Sequence, residues 1–162
     1  MTQTSFNRPD DIVYSAQVLE FVAVANELCK FMENCTAFEK PVFVNNSLRL
    51  LTYLYLKVLN LPELESEEDG MGEKFVSELD WQAVKDSVQQ ILVANDVFVD
   101  IIEDNYLGDS ETTNVSISEC YADIYQDIKD FLVSYDLGSP AIMFESLWEC
   151  RQSFLSRWGV RV

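Results

Sequence analysis

Histidine is missing altogether from this 162-residue chain, and bases are scarce, with 11 Lys and Arg against 28 Asp and Glu for a formal charge of −17. Without histidine, Ser–His and Cys–His nucleophilic pairs are excluded, and the common zinc sites lose their usual ligand. The four cysteines, Cys29, Cys35, Cys120 and Cys150, show no C-x-x-C spacing, so neither a structural zinc nor a redox pair is expected. Basic clusters are lacking as well, and with them the counterion release that drives phosphate binding, so free nucleic acid is not an expected partner. No G-x-S-x-G elbow or phosphate-cradling glycine loop occurs. Long apolar runs are absent too: the most apolar stretch, Leu48 to Leu61, is interrupted by Arg49 and Lys57 and is too short to span a bilayer, so no membrane association is expected. The opening MTQTSFNRPDD has neither a basic start nor an apolar stretch, which predicts a cytoplasmic protein with reduced thiols.

What is present is a core. An apolar fraction of 48% with 12% aromatics is that of a globular chain, and the length suits one domain over residues 1–162. The charge is unevenly placed: residues 1–60 hold six acids and five bases, whereas Asp86 to Ile128 holds ten acids and no base. Such runs usually form a solvated face.

Helical periodicity dominates. Asp10 and Asp11 can cap a first helix running to about Glu33, with Val13, Phe21, Val24, Leu28 and Met32 on one side. After Pro41, Val42 to Asn60 reads as a helix apolar almost all round, and therefore as the most buried one. It stops at Leu61-Pro62. The segment ELESEEDGMGE within 62–76 has the composition of a flexible acidic loop. Ser77 with Asp80 resembles a capping box for a helix to about Tyr106, with Asn95 falling inside its apolar stripe of Val84, Val88, Ile91, Val99 and Ile102. Ser116 with Glu119 opens a fourth helix, and Ser139-Pro140 opens a last one that Gly159 can close. No segment reads as a strand. The predicted fold is all-α, an antiparallel helical bundle of about five helices in which the short 136–139 connection makes the last two antiparallel neighbours.

The fourth helix carries the most chemistry. Its acids Glu119, Asp123, Asp127 and Asp130 lie within about 80° of one another at 100° per residue, a stripe able to hold Mg²⁺. The stripe is similar to the metal helices of the all-α nucleoside triphosphate pyrophosphohydrolases. Those enzymes carry E-E-x-x-E on one helix and E-x-x-D on the next, whereas here Glu119 and Asp123 stand at a different spacing, with Cys120 in a glutamate position. On the last helix, Met143, Phe144, Leu147, Trp148, Phe154, Leu155 and Trp158 project as one apolar arc with Arg151 near its centre. A guanidinium there must snorkel or meet a carboxylate, so Arg151 is expected to pair with Asp127 or Asp123, and with Tyr125 to mark a pocket or buried ion pair.

Two segments, YADIYQDIKDFL (121–132) and LWECRQSFLSRWG (147–159), resemble the uncharacterised Bacteroidetes domain of unknown function 5063 family, which pairs a D-I-Y-Q-D run with W-E-C-basic and a closing W-G. The matching positions are Asp123, Tyr125, Asp127, Lys129, Asp130, Trp148, Glu149, Cys150, Arg151, Trp158 and Gly159. The resemblance covers about one-sixth of the chain. It implies a helical fold, a bacterial origin and a further helical segment after the W-G, and it implies no reaction.

Three functions are open on these grounds. The first is a non-catalytic helical module that binds an unknown protein partner, with no cofactor and no catalytic residue expected. The second is an Mg²⁺-dependent phosphohydrolase, the one reading that needs a metal. The third is an acidic DNA mimic that inhibits a nucleic-acid-binding protein.

Overall fold

The structure, a computed structural model, describes residues 9–66, 72–103 and 110–160. Six α-helices and one hairpin follow in the order α1 (Pro9–Val13), α2 (Ala16–Glu33), α3 (Lys40–Leu59), α4 (Glu78–Leu92), β1 (Val97–Glu103), β2 (Ser110–Ser116), α5 (Ile117–Asp136) and α6 (Pro140–Ser156). The fold is all-α apart from the hairpin, and one continuous buried cluster draws on all six helices.

The expected first helix is divided. Ser15 turns back on Ile12 and then sits in extended backbone as the N-cap of α2, so α1 packs separately against α6. The apolar face read from the sequence holds across the break: Val13, Phe21, Val24, Leu28 and Met32 are all buried.

Burial reverses the expected ranking of the helices. The central element is α5, which buries thirteen residues and packs against α2, α4 and α6. In contrast, α3 buries Phe43, Ser47, Leu54 and Val58 and leans mainly on α2. Phe43 stacks on Phe31 at 5.5 Å and touches Tyr121 of α5 at 5.6 Å. Apolar residues all round α3 were expected to make it the most buried helix, but the bundle covers one side of it.

The third expected helix is shorter than its pattern. Ser77 and Asp80 form a full capping box at its start, each side chain bonding the other's backbone N–H. The helix ends at Leu92, a 3₁₀ turn spans Val93–Asn95, and β1 and β2 pair as an antiparallel hairpin with Val97 opposite Ser116. Asn95 is therefore outside any core stripe; it and the Leu92 carbonyl accept from Lys40 Nζ, which caps the C-terminus of α4 from α3. Val93 makes this turn at φ 52°, a region costly for a β-branched residue. Because its side chain is exposed, we expect Val93→Gly to raise stability by about 1 kcal/mol, read as a higher urea midpoint.

The 136–139 connection behaves as expected, with Gly138 at φ 75° supplying the left-handed residue that lets α6 return along α5. Ser139 is the N-cap of α6, but its side chain accepts no cap bond. The helix ends at Ser156 rather than at Gly159, which lies in the 3₁₀ turn Trp158–Val160. Residues 61–66 and 72–76 of the acidic loop are packed at Leu61, Leu64 and Val76; its remaining residues, 67–71, lie outside the described ones.

Candidate functional site

The acids of α5 project along one side of the helix as expected, but each meets a different structural partner. Glu119 pairs with Lys85 of α4 at 2.7 Å. Asp123 accepts the indole N–H of Trp81 at 3.1 Å. Asp127 receives both its oxygens' bonds from Arg157, at 2.7 and 2.8 Å. Asp130 Oδ1 accepts the backbone N–H groups of Phe75 and Val76 at 2.8 and 2.9 Å, while Lys74 Nζ stands 3.6 Å from Oδ2. On the neighbouring face Tyr125 and Lys129 both donate to Glu33 of α2, at 2.9 and 2.7 Å. The carboxylates thus fasten α4, the 73–76 segment and the end of α6 to the central helix. Among the described residues no group of three or more Cys, Asp or Glu side chains is placed to hold a metal ion.

Arg157, not Arg151, is the partner of Asp127. The buried face of α6 runs through Met143, Ser146, Leu147, Cys150 and Phe154, with Leu155 exposed and Phe144 and Trp148 only half-buried. Two of its buried positions are the small residues Ser146 and Cys150. Counting Phe144, Trp148 and Leu155 as core turned the projected arc by about 80° and put Arg151 at its centre, whereas Arg151 lies at its half-buried margin and makes no ion pair with a described residue. Arg157 lies past the last helical turn, from where its side chain reaches back along α6 past Ser153 to Asp127.

Two small cavities flank this pair. One, of about 110 Å³, is lined by Asp123, Gln126, Asp127, Arg157 and Trp158; the other, of about 20 Å³, lies between Asp127, Asp130, Ser146 and Cys150 under Lys74, and is the size of one water. Burial raises the Asp127 carboxyl above the usual 3.8, against the lowering influence of Arg157 and Lys74. Burial also pushes the Cys29 thiol up to about 12 and the Cys150 thiol well above 9.0, which leaves both protonated and poor nucleophiles.

The Asp127 shift fixes a pH dependence. The folded chain holds the proton more tightly than the unfolded one, so this contribution to stability is complete below 3.8 and is lost as pH rises through the raised value. Asp127→Asn removes that loss together with a bond to a largely exposed guanidinium, worth about 0.2–1 kcal/mol. We expect the variant to match or exceed the parent at pH 7 and to show a flatter stability profile just above pH 3.8, measured by urea titration across pH.

A different surface stands out for what it exposes. At 100° per residue, Val44, Leu48, Leu51, Tyr55 and Leu59 of α3 fall within about 80° on the side away from the α2 contact. Leu48 is 64% and Leu59 58% exposed, and Val44 and the adjoining Leu56 are also open, while Leu51 is partly buried against the core and the half-exposed Tyr55 ring meets Phe154 of α6 edge-on at 4.9 Å. No charged residue falls on this strip. Sequence reasoning had the residues but assigned them to the core. On another side of the same helix, an open groove of about 440 Å³ between α2 and α3 is floored by Phe31, Phe38 and Leu50 and edged by Arg49.

A family described as a domain of unknown function (DUF5063) matches residues 12–162. The chain belongs to the DUF5063 family. The crystal structure of protein BF1032 from Bacteroides fragilis is similar at 35% identity and a TM-score of 0.77, over 93% of this chain and 87% of that one. No curated protein matches the chain. The DUF5063 segments quoted above map onto α5 and α6, where Asp127, Asp130, Cys150 and Trp158 are buried. No helix among the described residues is long and apolar enough to cross a membrane.

Proposed function

We propose that this DUF5063 chain is a non-catalytic helical module of the bacterial cytoplasm that binds another protein through the exposed face of α3. The observation that carries this reading is the charge-free apolar strip of about four helical turns on a chain of net charge −17. Scattered apolar residues are ordinary on a surface, but a contiguous patch of this length marks an interaction site. The α5 carboxylates support the same conclusion from the other side, since their bonds to Lys85, Trp81, Arg157 and the 73–76 backbone account for their placement as fasteners of the fold.

The test compares two substituted surfaces. Chain recovered from its own cells after mild crosslinking should carry a protein adduct that Leu59→Glu abolishes and Asp127→Asn leaves intact. Loss with Asp127→Asn and retention with Leu59→Glu would move the binding site to the α5–α6 cleft and end this reading.

A further inference from the structure

Of the six helices, α3 is the one without an acid: it carries Lys40, Arg49 and Lys57 and no Asp or Glu. Lys40 is turned to α4 and Lys57 to Glu20, so neither reaches onto the apolar strip. The strip also has an internal symmetry. Val44 and Leu59, Leu48 and Tyr55, and Leu51 and Thr52 are placed at equal distances on either side of the midpoint between residues 51 and 52. The 3–4 spacing of Val44, Leu48, Leu51 and Tyr55 is that of a helix-pairing seam.

We infer that the occupant of this face is a second copy of the chain, with the two α3 helices crossing antiparallel about a two-fold axis near residues 51 and 52. An isologous contact requires each patch to be complementary to itself. The mirrored spacing meets that requirement: Val44 would face Leu59 of the other copy, Leu48 the exposed edge of Tyr55, whose ring Phe154 holds from within the same chain, and the partly buried Leu51 would face Thr52. An unrelated partner would impose no such symmetry on the sequence. Charge favours the same face, because two chains of −17 repel over most of their surface, whereas α3 brings no acid to the contact. The strip from Val44 to Leu59 is about 22 Å long. Covering it removes on the order of 500 Å² per copy, below the ~800 Å² of a standard interface, so the pair is expected to be weak and concentration-dependent. This inference rests on α3 being the docking surface and adds the identity of what docks.

Sedimentation equilibrium of the full chain over a concentration series tests it. The parent should pass from monomer to dimer within that series, and Leu48→Glu, which places a charge opposite Tyr55 twice per dimer, should weaken association by at least ~100-fold. Leu48 is exposed in the single chain, so the variant should keep its circular dichroism and melting temperature, and Leu59→Glu provides a second variant with the same expectation. Two controls, Leu79→Glu on α4 and Val99→Asp on the hairpin, alter other exposed apolar positions and should leave the dimer intact. A parent chain that stays monomeric at about 500 µM, or a dimer that survives Leu48→Glu or is broken by Val99→Asp instead, overturns the pairing. A monomeric parent whose α3 still crosslinks to a different protein would leave the docking reading standing while removing the second copy.

Discussion

Trp158→Ala is expected to lower stability by about 4 kcal/mol, near the upper end for a large buried aromatic, and the melting temperature by about 8–16 °C for a domain of this size. Trp158 is 1% exposed and meets Phe154 edge-on at 4.9 Å. Gly159 behind it is pressed so closely on Phe154 that a Cβ would lie 2.5 Å from the Phe154 carbonyl oxygen, so the turn cannot shift inward to fill the space. Arg157 precedes the indole directly, and loosening the turn also frees the guanidinium that holds Asp127. The indole N–H has no hydrogen-bond partner among the described residues, a cost of about 1–3 kcal/mol. Trp158→Phe removes that unpaired group and should therefore lose less than half as much as the alanine variant. Equal losses for the two would contradict this account, because phenylalanine keeps most of the buried ring and lacks the unpaired N–H.

Asp96→Ala is the second large effect, at about 3 kcal/mol. Asp96 is 3% exposed and sits where the hairpin meets the start of α5. Its Oδ1 accepts Ser118 N–H at 2.7 Å, its Oδ2 accepts the hydroxyls of Ser118 and Ser116 at 2.8 and 3.0 Å, and its own carbonyl accepts Ile117 N–H at 2.7 Å. Bonds to a charged acceptor contribute about 1.5–3 kcal/mol, and a carboxylate at a helix N-terminus adds a favourable term with the helix dipole. Alanine leaves the Ser118 N–H buried and unpaired. Asn can still accept that N–H, so Asp96→Asn should lose about 1 kcal/mol. Urea unfolding of the three proteins gives the comparison; an alanine variant within 0.5 kcal/mol of the parent, roughly the scatter of surface substitutions, would show that the network is dispensable.

Asp96 also explains why part of the fold was hidden in the sequence. The apolar positions Val88, Ile91, Val99 and Ile102 suit a helix, and Asn95, midway between Ile91 and Val99, reads as a polar interruption of its stripe. The contrary signals were present: Asn95-Asp96 as a break, then Val97, Val99, Ile101 and Ile102, which are β-branched. Short apolar runs are ambiguous between the two periods, and the bond from Ile117 N–H back to Asp96 that closes the base of the hairpin is long-range. Where the signal was local it was legible. The Ser77–Asp80 box, the apolar face of α2 and the polar and apolar sides of α5 came directly from spacing.

The candidate site was legible in composition but not in geometry. Sequence spacing aligned Glu119, Asp123, Asp127 and Asp130, but their partners come from α4, the 73–76 segment and the turn after α6, none of which a helical projection contains. Glu119 shows the limit clearly: its backbone N–H bonds Ser116 Oγ at 3.3 Å as a cap should, while its carboxylate leaves the expected box for Lys85. The α3 face was misread for a related reason. Hydropathy gives the number of apolar residues on a helix, and only the packing of the other helices against α3 decides which of them are covered.

Site-specific photocrosslinking in living cells tests most directly whether α3 is a docking surface. A photoreactive phenylalanine at Leu48 should give a discrete protein adduct, and the same residue at Leu79, 82% exposed on α4, should give none. Adducts from Leu79 but not from Leu48, or from neither position, would contradict the account.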